Sequence, residues 1–453
     1  MNWMEKRRVE TELEDDCELA VLILGESGSG QAGLTAAARL KMLGVNSLII
    51  DQNDRVGDNW RKRYHHLVLH DPVWYDHMPY VAFPPQWPIF TPKDKLAQFF
   101  EAYVDILELN VWLKSTATSS KWDKAKGMWT VTVERRMDDG STQTRTLRVR
   151  HIIQATGHSG QKNEPQIKGA GTFKGDRICH SSEFPGAQPS NGEKRAVIVG
   201  SCNSGHDIAQ DFFDKGYDVT IVQRSSTCVV SSRGITDILL KGLYVEGGPP
   251  VDDADMLTQS LPNTILKALH CQVVNHQKAL DRDTTDGLKR AGFKVNYGPD
   301  EAGLFFNYLQ RGGGYYIDVG TSKLIADGSI KVRQGLEVSE ILPDGIRLAD
   351  GSELQADEVV LATGYDTMES QTRVIFGDEV ADRVCDVWGF NKEGEMRTIW
   401  QQSGHPGFWF HAGNLALCRY YSKLLALQIK GLEKQQFVWN GDQEDLSSSV
   451  DNP

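Results

Sequence analysis

No two cysteines in this sequence lie close enough to form C-x-x-C. The seven that exist, Cys17, Cys179, Cys202, Cys228, Cys271, Cys385 and Cys418, are an odd number scattered over 453 residues. That spacing excludes a disulfide framework, a redox dithiol and a cysteine zinc site, and lone thiols fit a reducing compartment. No metal site is expected. Also missing is any run of 18 apolar residues, so no transmembrane helix is expected. Residues 1–15 mix charges of both signs and lack the apolar stretch of a secretory signal, which points to the cytoplasm. Positive charge is in deficit, with 49 Lys and Arg against 61 Asp and Glu and a net charge of −12. Nucleic acid and anionic membrane are therefore not expected as partners, whereas a small-molecule substrate is. Glycine, by contrast, is plentiful at 43 residues.

At roughly 150 residues per domain the length allows about three units. The first structured segment is the apolar run Ala20–Leu24, suited to a parallel strand buried on both faces. A glycine-rich turn, a helix over Thr35–Leu43 and a second strand at Ser47–Ile50 complete a βαβ unit. The turn holds Gly28-Ser29-Gly30-Gln31-Ala32-Gly33, a G-x-G-x-x-G hexad, and 17 residues separate Gly33 from Asp51 at the end of the second strand. Such glycines admit a pyrophosphate at the helix N-terminus, and an acid there accepts from a ribose hydroxyl. Gly28, Gly30, Gln31, Gly33, Asp51 and the adjacent Gln52 are candidate binding residues. Gly25-Glu26-Ser27 is an insert between strand and hexad, and Glu26 is expected to bring negative charge towards the phosphate.

The plan recurs at Ala196–Val199, His206–Lys215 and Val219–Val222. Here Gly200-Ser201-Cys202-Asn203-Ser204-Gly205 carries Cys202 in place of the middle glycine, and Gln223 followed by Arg224 occupies the counterpart of Asp51. A neutral side chain beside an arginine suits a 2′-phosphate, so NADPH is preferred to NADH. Gly200, Ser201, Asn203, Ser204, Gly205 and Arg224 are the second set of candidates. Cys202 reads as a small packing residue. A hairpin is expected over Trp129–Val149, a meander over Ile330–Leu361, and each leads into Ala-Thr-Gly, at Ala155-Thr156-Gly157 and Ala362-Thr363-Gly364. Asp94–Leu107 is expected to be a helix with Leu96, Phe99, Phe100 and Tyr103 facing the core.

Two nucleotide loops with these partners resemble the flavin-containing monooxygenases, a family that includes the plant YUCCA-type enzymes. The resemblance spans about Val21–Gly431. It rests on the two hexads, on Arg55-Val56-Gly57-Asp58-Asn59-Trp60 where the family has Gly-Gly-x-Trp, and on Leu361-Ala362-Thr363-Gly364-Tyr365-Asp366. Phe173, Gly175, His180 and Phe184 follow the family fingerprint with one residue more between Gly175 and His180. Arg311–Asp318 and Gly413–Ser422 are similar to a fungal-type branch.

The resemblance implies an α/β fold of two Rossmann-like dinucleotide-binding domains, an FAD domain split around an NADPH domain, with hairpin and meander insertions. The implied boundaries are a charged arm over 1–19, FAD domain over 20–170 and 331–435, NADPH domain over 171–330 with a helical insertion at 252–291, and a flexible tail over 436–453. FAD and NADPH are the implied cofactors, with Trp60, Thr156, Gly157, Asp366 and Asn414 joining the site. The implied reaction inserts one oxygen atom from O2 into a small organic substrate through a C4a-peroxyflavin. An NADPH oxidase or reductase, a Baeyer–Villiger oxygenase and a non-catalytic FAD-binding relative are the alternatives. No catalytic residue is assigned. Where the family often has Asn, this chain offers His70 and Asp71.

Overall fold

Apolar runs with no polar face must be covered on both sides, and here they form the parallel strands of two sheets, the first of them mixed. The computed structural model describes residues 2–25, 28–157 and 161–435. Glu26 of the insert and the tail from 436 lie outside the described residues. In the first sheet the strand Cys17–Gly25 runs parallel to Ser47–Asp51 on one side and Thr142–Gln154 on the other. Val21, Leu22 and Ile23 have no exposed surface. Thr142–Gln154 pairs antiparallel with Met128–Arg136, and that strand with Ser115–Asp123, so the expected hairpin is part of this sheet. Far later in the chain, Phe408–Phe410 adds a further parallel strand beside Thr142–Gln154.

The second sheet has five strands in the order Ile330–Gln334, Asp218–Gln223, Arg195–Val199, Glu358–Leu361 and Arg177–His180, all parallel. This moves the expected division at 330/331. Ile330–Gln334 and Glu358–Leu361 belong to the second unit, because Ile330 and Val360 pack with Ile198 and Ile221, and Val359 and Leu361 with Val197 and Val222, and none of these with the first sheet. Only Val338–Leu342, Gly345–Leu348 and Glu353–Gln355 form the separate antiparallel meander.

The charged arm expected over 1–19 is instead ordered structure. Trp3–Glu12 is a helix started by a capping box between Asn2 and Glu5, and Cys17 already pairs with Leu147. The helix buries none of its residues, and it is held by polar contacts: Trp112 Nε1 donates to the Thr11 carbonyl at 2.7 Å and Arg7 reaches Asn110 Oδ1 at 3.0 Å. The helix Lys93–Ile106 does bury Leu96, Phe100 and Tyr103, with Phe99 packed alongside.

Helices Val251–Gln259, Asn263–Leu280 and Arg282–Arg290 form the insertion. It is tied to the C-terminal helix Leu415–Glu433 by a bidentate pair in which Arg419 meets both oxygens of Asp255 at 2.6 and 2.8 Å. The remaining Arg419 nitrogen donates to the carbonyls of Tyr75 and His77, both at 2.7 Å. Both side chains of the ion pair are 3% exposed. Removing one member leaves the other charged and dry, so Asp255→Ala is expected to destabilise the protein by about 3–5 kcal/mol. Thermal unfolding reads this directly, and a loss under about 0.5 kcal/mol would show that the insertion is held elsewhere.

Candidate active site

Both hexads form the same turn. A Cβ on Gly33 would lie 1.8 Å from the carbonyl oxygen of Gly28, and one on Gly205 would lie 2.3 Å from that of Gly200. Glycine at these points lets each helix start almost on the end of its strand. The helices Gln31–Met42 and Asn203–Asp214 have no side-chain cap, and their first internal bonds are Leu34 N to Gly30 O and His206 N to Cys202 O. The N–H groups of the first turn are thus left facing the loop, where the helix dipole favours an anion.

Around the first loop, Gln31 links the expected Trp60 to Gly413. Its Nε2 donates to the Gly413 carbonyl at 3.1 Å, while its Oε1 accepts from Trp60 Nε1 at 3.2 Å. Asn414 follows Gly413 and caps the C-terminal helix, accepting from Leu417 N at 3.0 Å, so part of that helix's N-terminal field is already used by its own cap. Thr156 and Gly157 leave the strand beside Gly25, whose Cβ position lies 2.8 Å from the Ala155 carbonyl. Gln52 is exposed beyond the strand end. Asp51 is 1% exposed, and its carboxylate accepts from Ser29 and Asn53.

The second loop opens on a cleft of about 730 Å³, within the range of cofactor and ligand sites. Gly200, Ser201, Asn203, Ser204, Gly205 and Arg224 all line it, facing Gly312–Tyr315 and Trp388. Arg224 stands at the rim, exposed and 3.4 Å from Glu337. Gln223 is buried and structural: its amide donates to Thr227 Oγ1 and the Lys294 carbonyl and accepts from Lys294 N. Burial pushes the Cys202 thiol up to about 11, with a Gly314 backbone contact opposing it, which removes a thiolate role. Asp366, expected with the first unit, lines this second cleft instead, because the strand before it belongs to the second sheet. His180 is a linker residue: its Nε2 meets the Gly364 carbonyl at 2.9 Å and its Nδ1 meets Ser182 Oγ at 2.8 Å.

The two units meet at residues that carried no motif. Tyr64 donates to Asp207 Oδ2 at 2.6 Å, and His70 Nε2 lies 3.4 Å from the same oxygen. Burial lowers the His70 pKa, yet the Asp207 hydrogen bond and charge, helped by Asp71, leave it raised. Burial pushes the Asp71 carboxyl up to about 6 against the pull of His70. The same carboxylate acts on Tyr75 and on Tyr315, and the Tyr75 hydroxyl meets the Asn414 amide. Asp71 is thus felt electrostatically on both sides of the junction, by Tyr75 of the first unit and Tyr315 of the second. Only its position after Leu69-His70 hinted at this.

Two glycine-loop units, one bounded by Gly413-Asn414 and the other by Arg224, define an oxidoreductase that uses two dinucleotides. The profile of the pyridine nucleotide-disulphide oxidoreductases matches residues 21–247. Indole-3-pyruvate monooxygenase YUCCA1 of Oryza sativa subsp. japonica is 30% identical over 346 residues, 75% of each chain. The chain belongs to this family and, within it, to the YUCCA-like flavin monooxygenases; it is an enzyme with FAD and NADPH as cofactors. Its fold is also that of a flavin-containing monooxygenase from Stenotrophomonas maltophilia, with TM-score 0.59, 16% identity and coverage of 92% of this chain and 99% of that one. Cyclohexanone monooxygenase gives TM-score 0.62 at 15% identity over 92% and 88%. Among the described residues no helix is long and apolar enough to cross a membrane, and no cluster of three metal-ligating side chains occurs.

A carboxyl whose folded-state pKa is raised from 3.8 to about 6 costs the folded state nothing at low pH and most above pH 6. Asp71→Asn is thus expected to raise the thermal midpoint above pH 6 by about 2 °C, converging on the wild type towards pH 4. A difference that stays constant with pH would remove Asp71 as its source.

Proposed function

We propose that the first unit holds FAD, that the second holds NADPH, and that the enzyme inserts one atom of O2 into a small organic substrate. The observation that carries this is the pair of matching glycine turns, one joined through Gln31 to Trp60 and Gly413, the other opening on the cleft rimmed by Arg224. The hydride and oxygen-activating chemistry is that of the bound cofactors. The chain's residues bind, orient and dehydrate. The Gly28 and Gly200 loops offer backbone N–H groups to phosphates, and Arg224 is poised for the 2′-phosphate by exchanging Glu337 for it.

Tyr315 and Trp388 line the cleft of the second unit and support an aromatic substrate, shielded from water. The relative from rice is named for indole-3-pyruvate, which makes an aryl keto acid the first substrate to assay. Asp71 is proposed to hold a proton at the junction of the units, where its charge acts on Tyr75 and on Tyr315, the latter lining the cleft. The reducing setting expected for seven free thiols supports a cytoplasmic enzyme.

Purified protein is expected to show a flavin spectrum that NADPH bleaches anaerobically and to consume oxygen when substrate is added. Failure of NADPH to bleach the flavin overturns the proposal. Arg224→Ala is expected to raise KM for NADPH about tenfold while leaving KM for NADH unchanged. An equal effect on both nicotinamides would assign Arg224 to the rim alone.

A further inference from the structure

Asp51 has no acceptor left to offer. A carboxylate presents about four lone-pair sites, and here four donors fill them. Ser29 gives Oδ2 its backbone N–H at 2.8 Å and its hydroxyl at 2.5 Å. Asn53 gives Oδ1 its backbone N–H at 2.8 Å and its side-chain amide at 2.9 Å. Ser29 and Asp51 are each 1% exposed, so water has no access to bridge the carboxylate to anything else. A ribose hydroxyl can reach Asp51 only by displacing one of these donors.

Three of the four are held in place. The two N–H groups are backbone, and the Asn53 amide is anchored from its other side, since Asn53 Oδ1 accepts from Lys62 Nζ. The Ser29 hydroxyl alone leaves by a single χ1 rotation, and Asp51 Oδ2 keeps the Ser29 N–H when it does. Ser29 lies between Gly28 and Gly30, at a point of the turn where the backbone geometry itself requires no side chain.

We propose that Ser29 is an internal competitor for the adenosine ribose of FAD, a positioning residue that lowers FAD affinity by occupying the acceptor on Asp51. This rests on the assignment of FAD to the first unit. A hydrogen bond to a charged group is strong enough that its removal shifts a binding equilibrium about tenfold.

The test is flavin titration of the stripped full-length protein, followed by flavin fluorescence, with FAD and with FMN, which lacks the adenosine. Ser29→Ala is expected to lower the Kd for FAD about tenfold and to leave that for FMN unchanged. Ser29→Gly serves as the second variant and must move the same way. Adding Asp51→Asn to Ser29→Ala is expected to loosen FAD again. If FAD binds the wild type and the Ser29 variants equally, or the variants more weakly, the inference is overturned while the FAD assignment stands. Equal tightening of FAD and FMN also overturns it, because the effect then does not act at the ribose. Wild-type protein that binds neither flavin overturns the assignment and the inference together.

Discussion

The approach of Gly33 to the carbonyl of Gly28, repeated by Gly205 and Gly200, sets the geometry on which the rest depends. A side chain at either later glycine would collide with backbone, and the helix would have to withdraw from the strand end. Its uncapped first turn would then no longer point at the loop, and the field that draws a phosphate would weaken with distance. Two copies of this contact bring two uncapped helix N-termini to the carboxyl ends of parallel strands in two sheets, where open α/β sheets bind their ligands. The cleft, the Gln31 contacts and the position of Arg224 all follow from where those two turns come to rest.

The two units share apolar clusters, Tyr64 with Phe184 and Phe212 and Tyr75 with Val230 and Ile317, and polar contacts add direction to that packing. Tyr64 and His70 reach from one to Asp207 on the other, and Arg419 gathers the insertion, the C-terminal helix and the Tyr75–His77 segment around one guanidinium. Apolar packing of this kind carries little directional demand. A fully paired buried ion pair tolerates one geometry only, and that suits a junction at which three segments meet around Arg419.

Local chemistry made much of this legible in the sequence. The apolar runs, both glycine hexads, the hairpin and the helix at Lys93–Ile106 carry their pattern within a dozen residues, and Gly413-Asn414 and Trp60 came through family resemblance. Other features depend on partners distant in the chain. Ile330–Gln334 has a strand's composition, but nothing in it says that Asp218–Gln223 is its neighbour, and Asp366 was misplaced with it. The N-terminal helix was unreadable because it buries no apolar face. Asp51 is read from the spacing as a strand-end acid that accepts from a ribose, whereas its saturation by Ser29 and Asn53 depends on side-chain rotamers that no spacing rule reports. The same holds for Asp255 and Arg419, unremarkable letters until the insertion folds over the C-terminal helix.

The late strand Phe408–Phe410 has a consequence for how the molecule is made. It pairs with Thr142–Gln154, Trp129 donates to the carbonyl of Gly407 from 278 positions away, and Gln31 meets Gly413 from 382 positions away. A ribosome therefore releases the entire second unit before the first can close, and the first sheet waits with an open edge beside Ile152–Gln154. Domains usually mature in order of synthesis. Here the inner unit is positioned to fold first, and the outer one, with its long-range contacts, completes only when the C-terminal helix emerges, which makes that last segment the slow and aggregation-exposed step of biogenesis.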